Sequence, residues 1–205
     1  MKNRVMTAVC CAILLLGTWI GASEAAVEDI GSGIVRLHIL ANSDSEEDQV
    51  LKLAVRDRVI AEVRAREEAH EVTKEYLQKN ENMLLDACRD EICKQGYSYD
   101  VRMEFGRFYF PTKTYENITL PAGDYDAVRI LIGEGTGQNW WCVMYPPLCF
   151  TSETKGEMPQ EELEKLRQSM SSENFDLIQN EEQLVIKPSF KIVELWQELK
   201  HRLQQ

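Results

Sequence analysis

The apolar residues of this chain change their spacing part-way along it. Between residues 48 and 69 they recur every four positions, at Leu51, Val55, Val59 and Val63, with Ala54 and Ile60 widening the stripe. Between residues 97 and 105 they recur every two, at Tyr97, Tyr99, Val101, Met103 and Phe105. The first spacing lines side chains along one face of a helix and the second along one face of a strand. A chain holding both must pack helices on a sheet, which excludes all-α and all-β architectures.

The flanking segments fit that frame. Residues 34–40 are β-rich and mostly apolar, a buried first strand. Ser43 and Glu46 have capping-box spacing ahead of the first helix, and Asp44 places negative charge where the helix dipole favours it. A second helix is predicted over residues 72–93, with Gly96 as its left-handed stop. Extended pieces follow over 108–112 and 115–120, broken at Pro111, then strands over 125–132 and 140–145, the last ended by Pro146-Pro147. The glycines at 133, 135 and 137 between those strands read as a hairpin connection. The expected order is β-α-α-β-β-β, an α+β domain with two helices on a mainly antiparallel sheet. Beyond residue 150 a linker over 151–157, a short helix over 159–170, a polar loop over 171–182, a short strand over 183–187 and an amphipathic helix over 190–203 are expected.

The N-terminus bears on location. Lys2 and Arg4 precede an uncharged stretch over residues 5–22, and Ser23-Glu24-Ala25 supplies a small-x-small site. This order is that of a secretory signal, with cleavage expected after Ala25. A retained anchor is the alternative, because 18 uncharged residues reach the lower end of membrane-spanning length. The expected organisation is a signal over 1–25, a short linker over 26–33, an α+β domain over 34–150 and a helical extension over 151–205. The 205 residues carry a net charge of −11 and no basic cluster, which argues against nucleic acid as a partner. No small-molecule substrate, cofactor or metal is expected.

Export permits disulfides. Cys142 and Cys149 flank Pro146-Pro147, a stiff turn that can close their bond. Cys88 and Cys93 either pair across a helix end or stand as small buried apolar residues. Of the three histidines, His38 lies in the first strand, and a thiolate at Cys142 or Cys149 beside it would make a nucleophilic pair. The rival reading has His38 hydrogen-bonded and ordering the loop at Asn42. Asp44, Glu46, Glu47 and Asp48 lack the mid-loop glycine of a calcium site and read as helix-start charges. Trp140 and Trp141 are adjacent in a strand and must face opposite sides of the sheet. One fills the helix–sheet interface; the other lies in a partner's footprint or under a second layer that includes Trp196.

The run Arg36-Leu37-His38-Ile39-Leu40-Ala41-Asn42-Ser43-Asp44-Ser45, followed by Asp48-Gln49 and Val55-Arg56-Asp57, resembles the opening block of the stage II sporulation protein R family. So do Phe110-Pro111 with Tyr115, and Leu120-Pro121-Ala122-Gly123-Asp124-Tyr125 leading into Val128-Arg129-Ile130. The most specific part is Ile132-Gly133-Glu134-Gly135 through Gly137-Gln138-Asn139-Trp140-Trp141-Cys142-Val143, closing with Pro146-Pro147-Leu148-Cys149-Phe150. The resemblance implies a signal rather than a catalyst. Such proteins are made in the forespore, exported into the space facing the mother cell, and activate a membrane-embedded aspartic protease that processes pro-sigma-E. The expected contact surface comprises Asn139, Trp140, Trp141 and Gly135, with Asn42 and His38 as a second candidate. Two competing classes are an exported thiol-dependent hydrolase or transferase acting on the cell wall, and a passive structural partner held by its C-terminal helix.

Overall fold

A computed structural model describes residues 2–67, 72–115, 118–146, 149 and 160–179. Its elements are α1 (Lys2–Ser32), β1 (Val35–Leu40), α2 (Glu46–Glu67), α3 (Lys74–Lys79), α4 (Glu81–Lys94), β2 (Val101–Phe110), β3 (Lys113–Tyr115), β4 (Ile118–Leu120), β5 (Gly123–Ile132), β6 (Asn139–Tyr145), α5 (Gln160–Gln168) and α6 (Ser172–Ile178). The main sheet has the order β2-β5-β1-β6, and β3 and β4 form a separate two-stranded sheet. Its outer pairs, β2 with β5 and β1 with β6, are antiparallel, while β1 and β5 at the centre run parallel. The protein is an α+β fold on a mostly antiparallel sheet.

Strand parity divides the core in two. Val35, Leu37 and Ile39 of β1 pack with Val128, Ile130, Cys142 and Met144 against the stripe Leu51, Val55, Val59 and Val63 of α2 and against Leu84, Cys88 and Ile92 of α4. On the other face, Ala127, Val143, Phe110 and Tyr125 pack with Ile30 and Ile34, with Ile118 and Leu120, and with Leu166, Phe175 and Ile178. Hence α1, the β3–β4 hairpin, α5 and α6 supply the second layer among the described residues.

Several expectations are corrected. The helix predicted over 72–93 is two helices, because Asn80 caps both: its backbone N–H turns back to α3 carbonyls, and its Nδ2 donates to Tyr76 O at 2.8 Å. Gly96 does stop α4, at φ 85°, with Gly96 N bonded to Cys93 O and Tyr97 N to Ile92 O. The pieces expected apart on either side of Pro111 are the long strand β2 and the hairpin β3–β4. Residues 26–33, expected as a linker, are helical to Ser32, with Val27 and Ile30 buried. Glu28 pairs with Arg107, and Asp29 accepts from Asn174 Nδ2 at 2.5 Å, so this last part of α1 is tied to β2 and α6. The polar loop expected over 171–182 contains α6, which Ser171 caps by accepting from Asn174 N and which buries Phe175 and Ile178. The linker over 151–157, the strand over 183–187 and the helix over 190–203 lie outside the described residues. Among the described residues, no helix is long and apolar enough to cross a membrane.

Candidate functional site

The residues 133–137 do not form a hairpin. β5 and β6 are not neighbours; β1 lies between them, so the connection must cross the end of β1. There it meets the loop that leaves β1 for α2. Gly137 N donates to Ala41 O at 2.9 Å, Thr136 Oγ1 to Asn42 O at 2.8 Å, and Glu134 N to Asn42 Oδ1 at 3.1 Å. Two segments expected as separate candidates are therefore one hydrogen-bonded platform at one end of the sheet.

Glycine makes the crossing possible. Gly133 and Gly135 have φ of 57° and 65°, which other residues adopt at a cost. Gly137 needs space instead: a Cβ there would lie 2.1 Å from Ser43 O.

Asp48 ties the platform to α2. Its carboxylate accepts from Asn42 Nδ2 at 2.8 Å and from Ser43 Oγ at 2.6 Å, while its N–H is capped by Ser45 Oγ at 3.2 Å. Ser45, not Ser43, thus caps the helix, because Ser43 is committed to Asp48. Burial disfavours the charged form of Asp48, but hydrogen bonds from Ser43, Asn42 and Tyr99 outweigh it and hold the carboxyl below its usual range. One turn on, Lys52 Nζ reaches Gln49 Oε1 at 2.6 Å and Gln138 O at 2.9 Å.

The tryptophans follow with β6. Trp140 turns toward the helix layer, where the Arg56 guanidinium sits 4.4 Å above its ring. Among the described residues, Trp140 Nε1 and Arg56 Nη1 are buried without a hydrogen-bond partner. Trp141 turns to the other face, stacks on His38 with centroids 3.6 Å apart and meets Phe110 edge-on at 4.8 Å. Both tryptophans are half-buried, and Asn139 at the start of the strand is exposed. His38 bonds Asn139 Oδ1 at 2.6 Å, so it orders the start of β6 and not, as expected, the Asn42 loop. Burial pushes the imidazole down to about 4, against the Asn139 hydrogen bond and with help from Arg129. The rim is acidic: Asp44, Glu46, Glu47 and Glu134 are exposed.

The cysteines close off one chemistry. Cys142 and Cys149 form a disulfide, with Cα atoms 5.3 Å apart. Cys142 packs with the helix-side core, on the face opposite His38, so the pair needed for a thiolate nucleophile does not assemble. Cys88 and Cys93 are not bonded; Cys88 is a buried thiol pushed up to about 12 by burial, while Cys93 is exposed rather than buried.

In the sequence Asp48 reads as a helix-start charge, and Lys52 and Arg56 read as the solvated side of α2. Their signal was available as a polar row with four-residue spacing running beside the apolar row of α2. Two such rows on one helix mean that a second, polar surface is also being covered.

The family model described as stage II sporulation protein R matches residues 31–155. Stage II sporulation protein R of Bacillus subtilis (strain 168) is 35% identical over 180 residues, covering 80% of this chain and 79% of that one. The chain belongs to the stage II sporulation protein R family. No solved structure matches it. The span matched by the family model begins in the last turn of α1 and takes in the whole platform and the disulfide, whereas α5 and α6 lie beyond it.

Proposed function

We propose that this member of the stage II sporulation protein R family is an exported signal. It leaves the forespore by way of residues 1–25 and activates a membrane-embedded aspartic protease that matures pro-sigma-E in the mother cell. Family membership supports the class of role. The observation that carries the choice of surface is the union of the Asn42 loop with residues 133–139, which holds exposed Asn139 beside half-buried Trp140 and Trp141. Aromatic side chains on a rigid, partly exposed platform are the usual anchors of protein interfaces. Activation requires that the platform bind the active arrangement of the protease more tightly than the inactive one. Moving that equilibrium from 1:99 to 99:1 takes ~5.5 kcal/mol of differential binding.

The test places the chain, a matching protease and pro-sigma-E in a non-sporulating host. Cleavage is expected with residues 1–25 present and is expected to be lost when they are deleted. Glu134→Arg with Gln138→Arg alters only exposed side chains of the platform and should leave folding intact while lowering cleavage by about tenfold or more, ~1.4 kcal/mol of lost coupling. Undiminished cleavage by that folded variant would remove the platform from the contact.

A further inference from the structure

Arg36 heads the fully buried side chains by size. It leaves β1 on the face away from α2 and α4. Rings cover its guanidinium, with Cζ 4.5 Å from the centroid of Phe110 and 5.0 Å from that of Tyr125. Its Nε donates to Cys142 O at 3.2 Å. Nη1 and Nη2 are buried with no acceptor among the described residues, and so is the hydroxyl of Tyr115. Tyr125 donates its hydroxyl proton to Pro121 O at 2.6 Å, and its oxygen is out of hydrogen-bond reach of Nη1 and Nη2.

Among the described residues, the surroundings hold no counter-charge. Burial is the main influence that lowers the Arg36 guanidinium, and the titratable neighbours acting on it are the phenols of Tyr115 and Tyr125. Arg36 in turn acts electrostatically on Tyr115, whose ring packs against the same cluster as Phe110 and Tyr125. Stacked rings attract the faces of a guanidinium but do nothing for its N–H edges. A buried cation is tolerated when it is paired and its donors are used, and is otherwise costly. What would satisfy this cluster is an acceptor that brings negative charge. Arg36 stacks on Phe110 and Tyr125 within a packed apolar cluster, so the acceptor must be compact.

We propose that Arg36 and Tyr115 form a buried anion site, between β1 and the β3–β4 hairpin, that takes one small anionic acceptor, chloride or a compact carboxylate, as the domain folds. The site is separate from the platform and does not rest on the proposed signalling role.

The test is thermal unfolding of the full chain at constant ionic strength, with sodium gluconate, whose anion is too bulky to enter, replaced stepwise by chloride or formate. Above its dissociation constant, each tenfold rise in a bound anion multiplies the folding constant about tenfold and lifts the midpoint by roughly 3–5 °C. A larger effect of formate identifies a carboxylate site, and a larger effect of chloride a site for a spherical ion. Arg36→Met should abolish the dependence. Tyr115→Phe, which keeps the ring and removes one donor, should weaken anion binding by about tenfold even if Arg36→Met does not fold. A midpoint that stays put when chloride or formate replaces gluconate would overturn the proposal. So would a dependence that persists unchanged in Tyr115→Phe.

Discussion

Gly137 is where the platform is most exposed to a single methyl group. Alanine there would put its Cβ 2.1 Å from Ser43 O and 2.5 Å from Ser43 C, far inside van der Waals contact and against backbone on the facing side. The two loops must part. The bonds at risk are Gly137 N to Ala41 O at 2.9 Å, Thr136 N to Asn42 O at 3.4 Å and Thr136 Oγ1 to Asn42 O at 2.8 Å. At ~0.5–1.5 kcal/mol each, with water recovering part at this exposed edge, the loss comes to about 2–3 kcal/mol. Gly135 offers the contrast. Its φ of 65° penalises alanine by ~1–2 kcal/mol, but the nearest atom to a new Cβ is 3.3 Å away on the flexible side chain of Leu131. Asparagine tolerates left-handed backbone, so Gly135→Asn should cost less than Gly135→Ala. At Gly137 the order should invert, because asparagine is larger and the fault is steric. Urea denaturation of the four variants measures this crossing, and hydrogen exchange at the amides of Thr136 and Gly137 locates it. If alanine and asparagine rank in the same order at both positions, or if Gly137→Ala costs under ~0.5 kcal/mol, the close approach of the loops is wrong.

Three further outcomes follow from the same geometry. Replacing Cys142 and Cys149 by alanine opens a link between residues 7 apart, which should lower stability by about 2.5 kcal/mol on loop-closure entropy, read as a shift in denaturation midpoint that matches reduction of the wild type. His38 takes its proton near pH 6.5 when unfolded and only near 4 when folded. The unfolded state therefore binds more protons between those values, so stability should fall as pH drops from about 6.5 toward 4, with a slope approaching one proton that His38→Gln removes. Finally, a chain starting at Ala26 keeps Val27 and Ile30, both buried, whereas one starting at Gly33 forfeits them and should be less stable by about 3–5 kcal/mol in equilibrium unfolding; equal stability of the two would detach α1 from the domain.

Periodicity made much of this fold legible. The four-residue row of α2, the alternation over residues 97–105 and the glycine after α4 are local signals; the first and last stand where their spacing says, while β2 begins only at Val101, Tyr97 and Tyr99 packing on the core ahead of it. Pairing between strands is not local. Nothing in residues 133–137 tells whether the next strand lies beside β5 or beyond β1, since both routes need a short glycine-rich turn. The helix break at Asn80 and the helix start at Ser171 are hidden for a related reason: each residue can interrupt or begin a helix, and Phe175 and Ile178, buried in the second layer, decide the case at α6. At the site, the exposed and aromatic residues stood out in the sequence. The residues that hold them did not, because Asp48, Lys52 and Arg56 look like the wet side of a helix until β6 and its preceding loop are laid over them.

The crossover topology explains why the candidates converge. Parallel pairing of β1 with β5 sends both strands out at the same end of the sheet, and antiparallel pairing of β6 with β1 makes β6 enter there. The exits of β1 and β5 and the entrance of β6 must then share one small area, and Asn42, Gly135 and Asn139 occupy those three positions. Asn42 and Glu134, 92 residues apart in sequence, are in contact because of it. The last turns of α1 pack over Gly123, at the opposite end of β5, nine residue steps or roughly 30 Å from the platform. The N-terminal helix and the platform thus sit at opposite poles of one sheet. Changes at the two ends share no partner, so their effects on stability should add, while only those at the platform bear on the proposed contact.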